Sequence, residues 1–438
     1  MNRLLIGLVL CLLCSPLWAQ QPQRGRIKSF DTEKGVVRIT TQEGTVVEAA
    51  IAPQTMFRDA SNQDIAGARE KGIPVGTTVM FRAEDRGGKM VLVGMRLPGE
   101  GAGQPKAGGQ PKAGGQAKAG GQPKAGGQKG NFAPPPPPRD SIGVKPLTEL
   151  GSETYKGESG GLYGNGRNDP PAQQQEAAKK AIAKIQPLDA QGKPSASGKI
   201  GLVSIGMSNT TMEFSTFAKL ADSDAQKSDK VVVVDLAQGG RIPMTWNDPT
   251  SDIGKQTWGV ADQRLKAAEV SHEQVQVAWV KQALAGQARF GEFPAHAHQL
   301  ENDLVTSLQV IKKQFPNLQL AFLSSRIYGG YATTGLNPEP YAYEGAFSMR
   351  WIIDRQMAGD AALNWDSSKG DVKSPVVLWG PYLWGDGMTP RKDGTVWTKD
   401  DLTDRDGTHP SQLGQKKVAD MLVKFFHTDP NAKGWYLK

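Results

Sequence analysis

Two rhythms of apolar residues divide the chain. Between residues 24 and 98, apolar and polar positions alternate in five short runs: GRIKSF, GVVRITT, TVVEAAI, TTVMFRA and KMVLVGMRL. Period-two alternation places one set of side chains on one face of a sheet. Turn residues such as Glu33-Lys34-Gly35 and Arg86-Gly87-Gly88 separate the runs. Five short strands in so few residues predict a small all-β unit, an OB-like or SH3-like barrel. From residue 199 the texture changes. IGLVSI (200–205), KVVVVDL (230–236), VQVAWV (275–280), LQLAFL (318–323) and PVVLWG (375–380) are continuous apolar runs, the signature of strands buried on both faces. Between and after them lie helical patterns. Leu300, Leu304, Leu308 and Ile311 recur on one face, as do Val418, Met421, Leu422 and Phe425. Strands alternating with helices predict an α/β fold, a three-layer α/β/α sandwich with a five-stranded parallel sheet over residues 199–438.

The segments between these units differ in kind. Residues 99–140 hold a six-residue repeat, AGGQPK, AGGQAK and AGGQPK, followed by APPPPPR. Gly-rich sequence buries too little apolar surface to offset its ordering entropy, so this stretch reads as a linker. Between Gly101 and Arg139 it carries Lys106, Lys112, Lys118, Lys124, Lys129 and Arg139 and no acid, a charge pattern suited to an anionic cell-envelope polymer. Residues 141–198 read as a lead-in with one helical stretch, Gln173 to Ile185. At the start, Arg3 and an apolar run from Leu4 to Leu13 predict a secretory signal peptide over residues 1–19. The chain's two cysteines, Cys11 and Cys14, fall within it. A product cleaved there is expected to be secreted or periplasmic, with no stable membrane anchor, no disulfide, no thiolate metal site and no cysteine nucleophile. The net charge of +8 is moderate. With secretion and sparse aromatics in the barrel, it gives no reason to expect a nucleic-acid partner.

Candidate chemistry sits at strand ends. The first α/β strand runs into Gly206-Met207-Ser208-Asn209-Thr210, placing a serine at a helix start, where backbone amides favour developing negative charge. Ser, Asn and Thr are also ordinary helix caps. Near the other end of the chain, Asp404-Arg405-Asp406-Gly407-Thr408-His409 precedes the last amphipathic helix. An acid and an imidazole three residues apart suit orientation of the ring for deprotonating a hydroxyl. A loop salt bridge or a metal fragment would use the same spacing.

With these residues in order, the domain resembles the SGNH (GDSL-like) hydrolases, over roughly residues 199–427. The resemblance implies a flavodoxin-like α/β sandwich and a catalytic triad of Ser208, Asp406 and His409. Met207 replaces the acid that the family has before its serine. Oxyanion donors would be the amide of Ser208 and that of Gly239 or Gly240, after the second strand. The family's third block supplies an asparagine after the third strand, but this chain reads Trp279-Val280-Lys281-Gln282-Ala283, leaving Lys281 or Gln282 to take that part. No metal or organic cofactor is implied.

Three loops at the ends of the fourth and fifth strands supply candidate substrate contacts: Arg326, Tyr328, Glu339, Tyr341 and Trp384. Aromatic faces stack on sugars and a guanidinium clamps a carboxylate. The expected function is therefore a secreted serine esterase acting on an ester-bearing small molecule or glycan, with O-acetyl removal the simplest case. The alternative is an inactive carbohydrate-binding or surface scaffold on the same fold. His296 and His298 are expected at the surface or in a lid, and His272 and His427 in structural roles.

Overall fold

The computed structural model describes residues 23–41, 45–58, 65, 67–85, 89–97 and 136–438. The expected signal peptide and most of the expected linker lie outside these residues. The chain forms two compact units, each taken by itself below.

The first unit contains β1 (Gln23–Asp31), β2 (Val36–Thr41), β3 (Val46–Arg58), a single turn α1 (Ala68–Lys71), β4 (Thr78–Asp85) and β5 (Met90–Arg96). The alternation works as read: Val37 and Ile39 of β2 and Val79, Phe81 and Ala83 of β4 point inward and are buried. The strands close in the order β1-β2-β3-β5-β4, with β1 pairing back onto β4. The expectation of an OB-like or SH3-like barrel does not hold. The ring is complete, leaving no open edge, and its β3–β5 ladder is parallel. Alternation reports which face a residue takes and carries no information about the order in which strands join. Phe57 and Phe81 belong to the core, and Phe30 packs on Phe57 at 5.8 Å.

The second unit begins with a small hairpin, β6 (Thr154–Tyr155) and β7 (Glu158–Ser159), and helix α2 (Ala172–Ile182). Next come β8 (Ile200–Gly206), α3 (Ser208–Asp222), β9 (Val231–Asp235), α4 (Pro243–Asn247) and α5 (Asp252–Ala267). The chain continues through β10 (Val275–Lys281), α6 (Ala295–Gln314), β11 (Leu320–Ser324), α7 (Tyr341–Met357) and β12 (Val376–Trp379). Helices α8 (Gln412–Thr428) and α9 (Lys433–Tyr436) complete it. The sheet is parallel throughout, in the order β12-β11-β10-β8-β9. Its five strands coincide with the five apolar runs, because a strand buried on both faces needs no polar face.

Right-handed crossovers fix the layers. The step from β8 to β9 runs one way along the sheet, and the later steps run the other way. Helix α3 therefore lies on one face, and α5, α6 and α7 on the opposite one. Helix α8 joins α3: Phe214 of α3 stacks on Trp279, while Phe322 meets Phe425 and Phe426 of α8. The lead-in belongs to this core, since Ala177, Ala178 and Ala181 of α2 are buried in it and Gln174 bonds to the carbonyl of Val377. Among the described residues no helix is long and apolar enough to cross a membrane.

Candidate active site

The sheet order reverses direction between β8 and β10, and a crevice forms there at the carboxyl ends of the strands. Ser208 stands at this point as the first residue of α3. Its neighbours enforce the turn. A Cβ at Gly206 would lie 2.4 Å from the carbonyl oxygen of Lys281, so only glycine lets β8 pass that close to β10. The Thr210 hydroxyl then donates to the same carbonyl at 2.6 Å, locking the helix start to the strand end.

The loop before α8 brings the two other residues to Ser208. Ser208 Oγ lies 2.8 Å from His409 Nε2, and His409 Nδ1 lies 2.7 Å from Asp406 Oδ2. The second carboxylate oxygen of Asp406 accepts the backbone N–H groups of Thr408 and His409, each at 3.0 Å, and the Thr403 hydroxyl at 3.1 Å. Burial by itself would raise the Asp406 carboxyl. The hydrogen bonds from the His409 ring and these amides outweigh it and hold Asp406 well below the usual carboxylate range. An ionised Asp406 is therefore available to orient the ring. Asn209 adds a brace, donating from Nδ2 to the Thr408 carbonyl at 2.9 Å. Gly407, at φ +57°, lets the loop turn against Tyr331.

Gly239 sits beside the serine: a Cβ built on it would be 3.9 Å from that of Ser208. Gly240 follows with φ +75°, and the amide of Gln238 bonds to the Gly206 carbonyl, tying this loop to the end of β8. The first-turn amides of α3 have no acceptor within the helix. Gly239 and the start of α3 thus lie side by side at Ser208.

Lys281 does not serve as expected. Its ammonium is fully buried and bonded to both carboxylate oxygens of Glu213, one at 2.6 Å. A side chain at that strand position alternates onto the face covered by α3, away from the crevice. Burial pushes Lys281 down to about 8 despite the pull of Glu213, and pushes Glu213 up. Gln282, one position on, takes the other side. Its amide nitrogen donates to the Arg241 carbonyl at 3.3 Å, and its Oε1 has no partner among the described residues.

That oxygen opens onto a cavity at the ends of β10 and β11, of about 10 Å³ and so roomy enough for about one water, lined also by Ser325, Arg326, Asn337 and Tyr341. Arg326 is buried and donates from one terminal nitrogen to the Thr408 carbonyl, next to His409, at 3.2 Å. Its Nε, Ser325 Oγ, Asn337 Oδ1 and Gln287 Oε1 are buried around the same space without a partner among the described residues. Such atoms seek a polar guest or water. The amides of Gln282 and Gln287 donate to backbone carbonyls, which only accept, so their orphaned atoms are oxygens. A water there would meet these oxygens together with Arg326 Nε and the Ser325 hydroxyl.

The remaining expected contacts are internal. Tyr328 is buried and donates to the Arg139 carbonyl at 2.8 Å. Glu339 is buried, accepting from Gly329, Tyr343 and Trp384, and Trp384 is wholly buried. They pack the loops together and present no face to the crevice. Tyr341 lies in the first turn of α7 with its ring 4.9 Å from that of His296. His296 is also not at the surface: it is buried, with Nε2 2.6 Å from Glu344. His298 meets Glu301, His272 meets Asp262 and His427 meets Asp224. Among the described residues no group of three His, Cys, Asp or Glu side chains could hold a metal.

Glu213 and Asn209 were missed from the sequence. Asn209, Thr210 and Glu213 recur at helical spacing on the buried side of α3, and a polar face opposite a buried strand was the available signal.

No family model matches the chain, and no curated protein is similar to it. Among solved structures, apo-CusF from Escherichia coli is 19% identical, covering 19% of this chain and 99% of that one, with a TM-score of 0.14. A chain described as an SGNH hydrolase, from Slackia heliotrinireducens, is 15% identical and covers 52% of this chain and 99% of its own, at a TM-score of 0.27. The salicylyl-acyltransferase SsfX3 is 13% identical over 53% of this chain and 55% of its own, at 0.28. Likenesses this distant carry no functional inference.

Proposed function

We propose that the second unit is a serine hydrolase of SGNH type acting on esters. The observation that carries this reading is the continuous hydrogen-bonded chain from Ser208 through His409 to an ionised Asp406 at the crevice. Ser208 Oγ attacks the ester carbonyl while His409 Nε2 takes its proton. The tetrahedral oxyanion is held by the amides of Ser208 and Gly239. On collapse, the C–O bond of the ester breaks and His409 returns the proton to the departing alcohol. Water, deprotonated by His409, then attacks the acyl-serine and releases the acid with the serine regenerated. Asp406 keeps Nδ1–H as donor throughout and stabilises the imidazolium between steps.

The ester in this reading is carried by a glycan-like alcohol, with O-acetyl removal the simplest case. Secretion and a carbohydrate-bearing partner are part of this reading.

Purified protein should hydrolyse an aryl acetate and bind a fluorophosphonate at Ser208, and Ser208→Ala should abolish both. Turnover unchanged in Ser208→Ala would refute the assignment. An unlabelled, inactive wild type would leave a carbohydrate-binding scaffold as the reading.

A further inference from the structure

A second cleft, of about 800 Å³, lies at the opposite end of the sheet. Leu318 and Gln319, which lead into β11, and Pro375 and Val376, at the start of β12, line it. Ser208 stands at the carboxyl ends of the parallel strands, so the sheet itself, roughly 16 Å for a strand of this length, separates the two sites. The size falls in the range of ligand pockets.

Its chemistry is one-sided. Lys184, Lys312, Lys313 and Lys373 line the cleft and no acid does. Lys312 is fixed, donating to the carbonyls of Pro316 and Leu318 at 2.7 and 2.8 Å. Lys184, Lys313 and Lys373 are exposed and have no carboxylate partner among the described residues. Lys145, Lys179 and Lys416 on this unit are each paired with a carboxylate instead. Burial and the nearby Lys184 push Lys312 down to about 8. Gathering like charges around one concavity is unfavourable until an anion enters. Trp365 forms a wall of the cleft, with the Lys180 ammonium 6.0 Å from its ring, and Gln309, Ser367 and Ser374 add neutral polar groups. The neighbouring Asp366 turns its carboxylate to the amide and hydroxyl of Ser368.

We propose that this cleft binds a segment of an anionic polysaccharide, with carboxylates on Lys184, Lys313 and Lys373 and a sugar face against Trp365. The aromatic wall and the amide and hydroxyl groups favour a carboxylated glycan over a phosphate polymer, which would need charge alone. This site stands whether or not Ser208 is catalytic.

The test is affinity electrophoresis of the full chain through gels containing polygalacturonate, uncharged dextran or single-stranded DNA. Polygalacturonate should retard the protein, dextran should not, and DNA should do so more weakly. Lys313→Glu/Lys373→Glu should weaken retention by roughly tenfold or more, because two attractions become repulsions. Trp365→Ala should weaken it several-fold without changing its salt dependence. An unaltered melting temperature shows that each variant is folded. Retention undiminished in the double variant would overturn the proposal and assign binding to the basic repeat. No retardation by polygalacturonate, or stronger retention by DNA, would overturn it too.

Discussion

Lys281 and Glu213 offer the sharpest test of how this site is built, since the resemblance points to Lys281 or Gln282 as an oxyanion donor and the structure buries the lysine in an ion pair. Both side chains are fully buried, with Nζ 2.6 Å from one carboxylate oxygen. At that separation the attraction is of order 5 kcal/mol with an effective dielectric constant near 20. Desolvating two charges costs a similar amount, so the intact pair contributes little net stability. Removing one partner is different, because it strands a buried charge at about 3–5 kcal/mol. The structure also ranks the two single variants. Arg326 is buried and attracted electrostatically to Glu213. Lys281→Met leaves Glu213 with that guanidinium as residual counter-charge and should fall near 3 kcal/mol. Glu213→Gln leaves two buried cations facing each other and should approach 5 kcal/mol. Glu213→Met/Lys281→Met should cost less than either, roughly 1–2 kcal/mol, as a volume-matched apolar replacement. Urea denaturation followed by tryptophan fluorescence measures all four corners of the cycle. Single-variant losses that sum to the double-variant loss, or a Lys281→Met loss larger than that of Glu213→Gln, would refute this account. Stability unchanged in Lys281→Met, with kcat reduced, would restore the lysine as an oxyanion donor.

Two further outcomes follow from the loops. Burial pushes Glu339 up to about 7, above its unfolded value, even though three N–H groups donate to it. Its protonation therefore contributes stability that is fully present below about pH 4.5 and is lost as pH rises through 7. The stability difference between wild type and Glu339→Gln should shrink by up to roughly 3 kcal/mol from pH 4.5 to 8, and a flat difference in denaturation curves would contradict this. Gly407→Ala places a Cβ 1.9 Å from the Tyr331 carbonyl at φ +57°. It should cost about 1–3 kcal/mol and lower kcat by displacing His409, whereas full activity would mean that the loop is not rigid.

The legible part of this protein is the part written locally. Ser208 follows a continuous apolar strand, and Asp406 and His409 share one loop three residues apart, so spacing alone could pair them. The five buried strands were equally plain, because a doubly covered strand has no polar face to blur its pattern. Helix α7 was hidden for a related reason. It is buried on nearly all sides, so no amphipathic stripe marks it, and Tyr341 read as a loop aromatic.

What required the tertiary structure is everything that depends on which way a side chain points once elements meet. Lys281 and Gln282 are neighbours in sequence, yet strand alternation sends one beneath α3 to Glu213 and the other toward the cavity at Arg326. Tyr328, Glu339 and Trp384 carry groups suited to a sugar, but the loops fold on one another and spend those groups internally. The sequence by itself determined the residues of the Ser208–His409–Asp406 chain. Only the packing of α3 against β10 decided that the lysine beside it is occupied, because a buried ammonium binds the nearest carboxylate and that carboxylate is 68 positions away.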